Sequence, residues 1–412
     1  MAQDEKVFGM APSAGRWIFV LLGIVINMCM GAVYAYSVFK KPLEELFKVG
    51  STQSNLPFMI FIAVFALFTF FAGRFIDKYG PRKVMIIGSI VVGIGWILTQ
   101  FASSISMVIL TYGIIAGAGV GLVYGAPIAV STRWFPDKKG LAVGLTVMGF
   151  GMSAFVTAPI AKFCISTYGC LSTFGIMGTV FLIVQVILSI PMKFPPAGWV
   201  PPGWKPPKGA AGVAAKSFST GQMLSTSSFY GLWLCYVIGT TAGLMAIGIS
   251  AAVGKETIGL DTGTAATLVS VFAIFNGGGR PLFGWLTDKI NPRNAAIISF
   301  VIIFLASVGM LMSGQGASTL YTLSFCGFWL CLGGWLAIGP TTTATFFGVD
   351  GLAQKYGVVF SAYGLGAIIG GIISGSAKDA FGSYLVAFWP TAGMAVIGVV
   401  IALFLLKPPK RI

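Results

Sequence analysis

Gly73–Arg82 reads GRFIDKYGPR, and Gly284–Arg293 reads GWLTDKINPR. Gly, Asp, Lys, Pro and Arg recur in register at an offset of 211 residues. Each copy closes an apolar run long enough for a membrane helix, which needs about 20 residues. A single copy would pass for a charged turn between two helices. Two copies in register mark an internal duplication, and duplicated halves are a signature of membrane transporters.

Working outward, KKGLAVGLTVMGFG (Lys138–Gly151) and QKYGVVFSAYGLGA (Gln354–Ala367) also match, with Gly140 and Gly357 217 residues apart. Apolar runs lie at about 17–39, 55–76, 84–103, 107–130, 141–163 and 171–192, then at 229–252, 264–286, 295–313, 319–345, 357–376 and 383–406. The expected fold is therefore all-α: twelve transmembrane helices in two six-helix bundles related by a pseudo-two-fold axis. The expected domains are 1–192, a Pro-rich linker at 193–227 and 228–412. The linker's KFPPAGWVPPGWKPPK stretch forbids a helix. No ten-residue segments of alternating polarity suggest a β-barrel.

Composition agrees. Charged residues make up 9% of 412, against roughly 25% in soluble proteins, and 56% are hydrophobic. A largely polar stretch of sixteen residues precedes the first run, which is too long for a signal-peptide core and reads as a retained helix. Of the 26 Lys and Arg, 19 fall in the N-terminal tail and even-numbered loops with the N-terminus inside, and six on the opposite side. That asymmetry places both termini in the cytoplasm of a multi-pass protein of the plasma (inner) membrane. It also accounts for the net charge of +15 without nucleic acid. The chain has no histidine, which excludes His-based metal sites, Ser–His–Asp triads and imidazole relays. Six cysteines without a C-x-x-C pair read as buried apolar residues. No enzyme, metal or cofactor is expected.

The remaining basic residue is Arg280, in the stretch FNGGGRPLFGWLTDK; within the eighth run itself, 264–286, no Asp or Glu accompanies it. A charge at such a position costs about 2.5–3.5 kcal/mol on insertion scales. Snorkelling to the nearby interface, or bonds to carbonyls around Gly277–Gly279, would be structural reasons to keep it. The functional reason is an anion site, because a guanidinium grips a carboxylate through two parallel hydrogen bonds. Asn276 lies one turn earlier on the same face and would suit a hydroxy- or keto-acid.

The Gly73–Arg82 stretch resembles the loop 2–3 motif of the major facilitator superfamily. There Gly73, Asp77, Lys78, Arg82 and Lys83, with Gly284, Asp288, Lys289 and Arg293 in the second copy, would gate helix movement. Together with RWFPDKKG (Arg133–Gly140) and AGAGVGLVYG (Ala116–Gly125), the eighth run resembles the oxalate–formate antiporter family and the related monocarboxylate transporters. The resemblance covers essentially the whole chain. It puts a cavity arginine on Arg280 and cavity tyrosines on Tyr34 and Tyr124. It implies alternating access of two bundles around a small carboxylate.

Two departures matter. Tyr363 stands where oxalate exchangers carry a lysine, which argues against a dianion. Asn276 stands where animal monocarboxylate transporters carry an Asp. The expected partners are a small monocarboxylate, L-lactate before pyruvate or acetate, a proton, and membrane lipid around a monomer. Tyr363 and Leu145 would help shape the pocket. Anion exchange is the nearest alternative, and a non-transporting carboxylate sensor a remoter one.

Overall fold

A computed structural model describes residues 6–196, 198–202, 204 and 217–409. Helix α1 spans Pro12–Met30 and runs into a 3-10 turn at Gly31–Ala35; α2 (Ser37–Phe47), α3 (Ser51–Tyr79) and α4 (Pro81–Thr99) follow. A helix that opens as α5 (Ile105–Val108) widens to π geometry over Ile109–Ala116 and continues as α6 (Gly117–Trp134). Then come α7 (Lys139–Tyr168), α8 (Cys170–Ser189) and the short α9 (Thr220–Leu224). The second half holds α10 (Ser227–Glu256), α11 (Thr262–Ile290), α12 (Pro292–Leu311), α13 (Ser318–Phe347) and α14 (Leu352–Phe381). A 3-10 turn at Tyr384–Ala387 leads into α15 (Phe388–Phe404). No strand occurs among the described residues, only an isolated bridge between Val7 and Met10.

Eleven of these helical segments are long and apolar enough to cross a membrane. Helix α11 occupies the eighth expected place but is not among them, since Asn276, Gly277–Gly279 and Arg280 dilute its apolar run. The expected linker contains α9, which a Ser219–Gln222 capping box starts. Lys205, Lys208, Lys216, Lys410 and Arg411, counted in the charge asymmetry, lie outside the described residues.

Helices α1, α3, α4 and α6–α8 pack together, as do α10–α15, and the two groups meet where α7 runs along α11 and α3 along α14. The duplicated stretches end α3 and α11 in the same way. Gly80 (φ 83, ψ 162) and Asn291 (φ 74, ψ 160) take the same turn, each followed by a proline that opens the next helix. Pro suits that first position, where its missing N–H is not needed. The turn conformation is nearly confined to glycine and costs other residues about 1–3 kcal/mol. Asn291 recovers part of this by accepting a hydrogen bond from Asn294 N at 3.0 Å.

Replacing an Asn cap by Gly costs only a few tenths of a kcal/mol. Asn291→Gly is therefore expected to stabilise the protein by about 1–2 kcal/mol, visible as a higher unfolding midpoint in detergent. A lowered midpoint would mean that the cap outweighs the strain.

Candidate functional site

Arg280 lies in the middle of this helix contact and is fully buried, with Asn276 1% exposed one turn away. Its Nη1 donates to the Val147 carbonyl of α7 at 2.7 Å, and its Nη2 to Asn276 Oδ1 at 3.2 Å. The Nε has no partner among the described residues. The guanidinium carbon sits 5.6 Å from the centre of the Phe150 ring. Asn276 Nδ2 in turn donates to the Trp329 carbonyl at 3.3 Å, which ties α11 to α13. None of the ion pairs among the described residues includes Arg280. The side chain thus neither snorkels to an interface nor bonds to Gly277–Gly279.

The glycines of α7 make this arrangement possible. A side chain at Gly151 would meet Asn276 Oδ1 at 2.6 Å and Arg280 Nε at 2.7 Å, and one at Gly144 would collide with the Arg280 carbonyl.

Tyrosines approach from both halves. The Tyr34 hydroxyl, carried by the 3-10 turn after α1, meets the Tyr363 hydroxyl of α14 at 2.7 Å. Tyr34 also lies within electrostatic range of Arg280. Tyr124 stands edge-on to Phe65 and Phe150, with ring centres 5.1 and 5.6 Å away. Phe360 lies over Tyr363 at 5.0 Å and beside Tyr124 at 5.2 Å.

The expected residues Arg280, Asn276, Tyr34, Tyr124 and Tyr363 therefore converge. Leu145 lies on α7 beside Gly144, partly exposed and packed against the apolar core. Phe150, Phe65 and Phe360 add aromatic walls around the tyrosines. Sequence alone could not single them out among 34 Phe; only the spacing of Phe150 from Val147, nearly one turn, hints at its place.

At the end of the bundle where the basic loops gather, the two halves are clasped twice. Asp77 Oδ2 accepts from Gln354 N at 3.2 Å, at the start of α14. Asp288 accepts from Gly140 N and Leu141 N at 2.9 and 3.1 Å, at the start of α7. Each carboxylate satisfies orphan N–H groups and the positive end of a helix belonging to the other half. Gly73 lies against the Ala353 carbonyl, and Gly140 and Gly284 face each other's carbonyls so closely that a Cβ on either would collide. These four residues of the expected gating set, Gly73, Asp77, Gly284 and Asp288, form the clasps.

The cations of the set do not. Lys78 lies over the Tyr79 ring, Arg82 donates to the Ile190 carbonyl, and Lys289 and Arg293 take no part in either clasp. Arg133 is the residue the motif reading passed over. It pairs with Asp77 Oδ1 at 3.2 Å, donates to the Val349 carbonyl at 3.3 Å and stacks on Phe194 at 3.8 Å. Among the described residues all six cysteines are free, and no group of three or more His, Cys, Asp or Glu is placed to hold a metal.

A helical bundle of two clasped halves with a buried cation between them is the architecture of a secondary transporter. The chain belongs to the Major Facilitator Superfamily, whose family model matches residues 20–346. The oxalate:formate antiporter of Oxalobacter formigenes is 29% identical over 405 residues, covering 96% of this chain and 94% of that protein. Monocarboxylate transporter 13 of Rattus norvegicus is 23% identical over 377 residues, covering 90% and 84%. The fold is similar to that of the E. coli fucose:proton symporter FucP, with a TM-score of 0.70 at 16% identity over 94% of this chain and 98% of that one.

Proposed function

We propose that this chain is a proton-coupled symporter of small monocarboxylates, with L-lactate as the first substrate and pyruvate or acetate next. The observation that carries this reading is the Arg280 guanidinium. It is fully buried between the halves and bonded only to neutral oxygens, with one nitrogen unused. A buried charge of this kind calls for a counter-ion. One fixed cation matches one carboxylate. Lys355, on the same helix as Tyr363, is turned away to the Phe347 and Gly348 carbonyls that end α13. It adds no second charge beside Arg280.

In this reading twelve helices, α11 included, cross the plasma membrane of a monomer as two pseudo-symmetric bundles. The clasped basic end faces the cytoplasm, so the structure represents a carrier closed on that side. The anion enters from outside and pairs with Arg280. Asn276, Tyr34, Tyr124 and Tyr363 supply polar contacts. Neutralising Arg280 removes the cost of moving a bare charge as the halves rock. The proton rides on the substrate carboxyl or uses a carboxylate at the helix ends, since no histidine exists and no Asp or Glu occupies mid-depth. In proteoliposomes, lactate should accumulate when an inward proton gradient is imposed. Uptake indifferent to that gradient would refute symport.

Carboxylate exchange is the second reading, and the 29% identity to an oxalate:formate antiporter favours it. Countertransport without a pH gradient would establish it. A lysine at position 363 would face Arg280 across the site and offer a dianion its second partner. Tyr363→Lys is therefore expected to raise oxalate affinity about tenfold, the scale of one charge-assisted hydrogen bond. An unchanged preference in competition binding would count against placing Tyr363 in the site.

A further inference from the structure

On the outer face of the first half, α3, α4 and α6 enclose a groove of about 380 Å³ lined by Phe75, Tyr79, Lys83, Val84, Ile87 and Leu122. Phe75 and Tyr79 are about half exposed there, their rings stacked with centres 6.3 Å apart. The Lys78 ammonium lies 5.1 Å from the centre of the Tyr79 ring, so Lys78 and Lys83 flank the mouth of the groove. Neither lysine belongs to an ion pair among the described residues. The carboxylate of this segment, Asp77, is turned inward and engaged by Arg133 and by the start of α14. Two cations therefore stand at the level where an apolar groove leaves the hydrocarbon and meets the polar surface.

We propose that this groove is a binding site for one anionic phospholipid. Its phosphate sits between Lys78 and Lys83, and an acyl chain lies along Phe75, Ile87 and Leu122. The occupant follows from complementarity. An apolar channel without cations would take any acyl chain, and surface lysines without the channel would hold only a diffuse ion atmosphere. The two together select a lipid whose headgroup is negative, each lysine near the surface favouring it by up to about fivefold. The site shares α3 with the first clasp but uses the opposite face of that helix, so it is separate from the carboxylate site.

Native mass spectrometry of the full-length protein tests this, after equilibration with equimolar phosphatidylglycerol and phosphatidylcholine. Retained phosphatidylglycerol should exceed phosphatidylcholine about tenfold. The double substitution Lys78→Gln and Lys83→Gln should bring the ratio near one. Leu122→Trp, which fills the groove and leaves both charges, should lower phosphatidylglycerol retention severalfold. Circular dichroism and elution volume like the parent's certify that each variant is folded. Equal retention of the two lipids, or retention unchanged in both variants, would overturn the site. So would complete displacement by glycerol phosphate at matched concentration, which would reduce it to a phosphate contact without a lipid.

Discussion

Arg280→Gln is expected to abolish carboxylate uptake and to lower substrate affinity more than a hundredfold. Glutamine keeps a donor at the site but loses the charge and the paired N–H groups. Breaking a buried charge pair by removing one partner costs about 3–5 kcal/mol. At 1.4 kcal/mol per tenfold, that is two to three orders of magnitude in dissociation constant. The loss of positive charge also removes any reason for the anion to leave water. Thermal stabilisation by lactate, which requires only binding, should vanish together with uptake. Lysine should restore little, because a point charge cannot reproduce the fork that now spans Val147 and Asn276. Normal lactate-induced stabilisation in Arg280→Gln would remove this residue from the site.

Gly140→Val is the second large effect. The new side chain would strike the Gly284 carbonyl at a tight contact between the halves. The basic end could then not close, and the Asp288 bonds to Gly140 N and Leu141 N would be lost with it. Transport needs both conformations, so uptake should fall at least tenfold while the halves themselves stay folded. Spin labels on α7 and α11 at that end should report a longer distance than in the parent. Asp288→Asn should act in the same direction but more weakly, because one charge-assisted bond becomes an ordinary one and the other is lost, the amide nitrogen being unable to accept. Parent-like distances and uptake in Gly140→Val would show that the close approach is not required.

Most of the helical plan was legible because the membrane imposes it. A span needs a minimum apolar length, and the backbone must satisfy itself, so the expected runs lie close to α1 with its 3-10 turn, α3, α4, the helix running from α5 through α6, α7, α8 and α10–α15. The duplication was legible from residue recurrence, and the structure ends both copies in the same turn at Gly80 and Asn291. Arg280 was legible for the converse reason: a charge is conspicuous where apolar residues are the rule. What could not be read was which face of each helix turns inward. Many residues of α7 are equally apolar, and that the Val147 carbonyl is the one meeting Arg280 depends on how that helix rotates against α11. Phe150 gains its place only from the same rotation. Arg133 lay inside a recognised motif, yet its partners Asp77, Val349 and Phe194 come from three distant segments.

Composition and pattern alone therefore determined a duplicated helical membrane protein, with its basic side and its single unpaired intramembrane charge. Those features depend on transfer energies and on periodicity along one chain. The tertiary structure decided which neutral groups share Arg280 and that Tyr34 meets Tyr363. It also decided that each motif carboxylate caps a helix of the opposite half. Apart from the Asn276–Arg280 bond within one helix, these contacts join residues more than a hundred positions apart, and packing rather than local preference selects them.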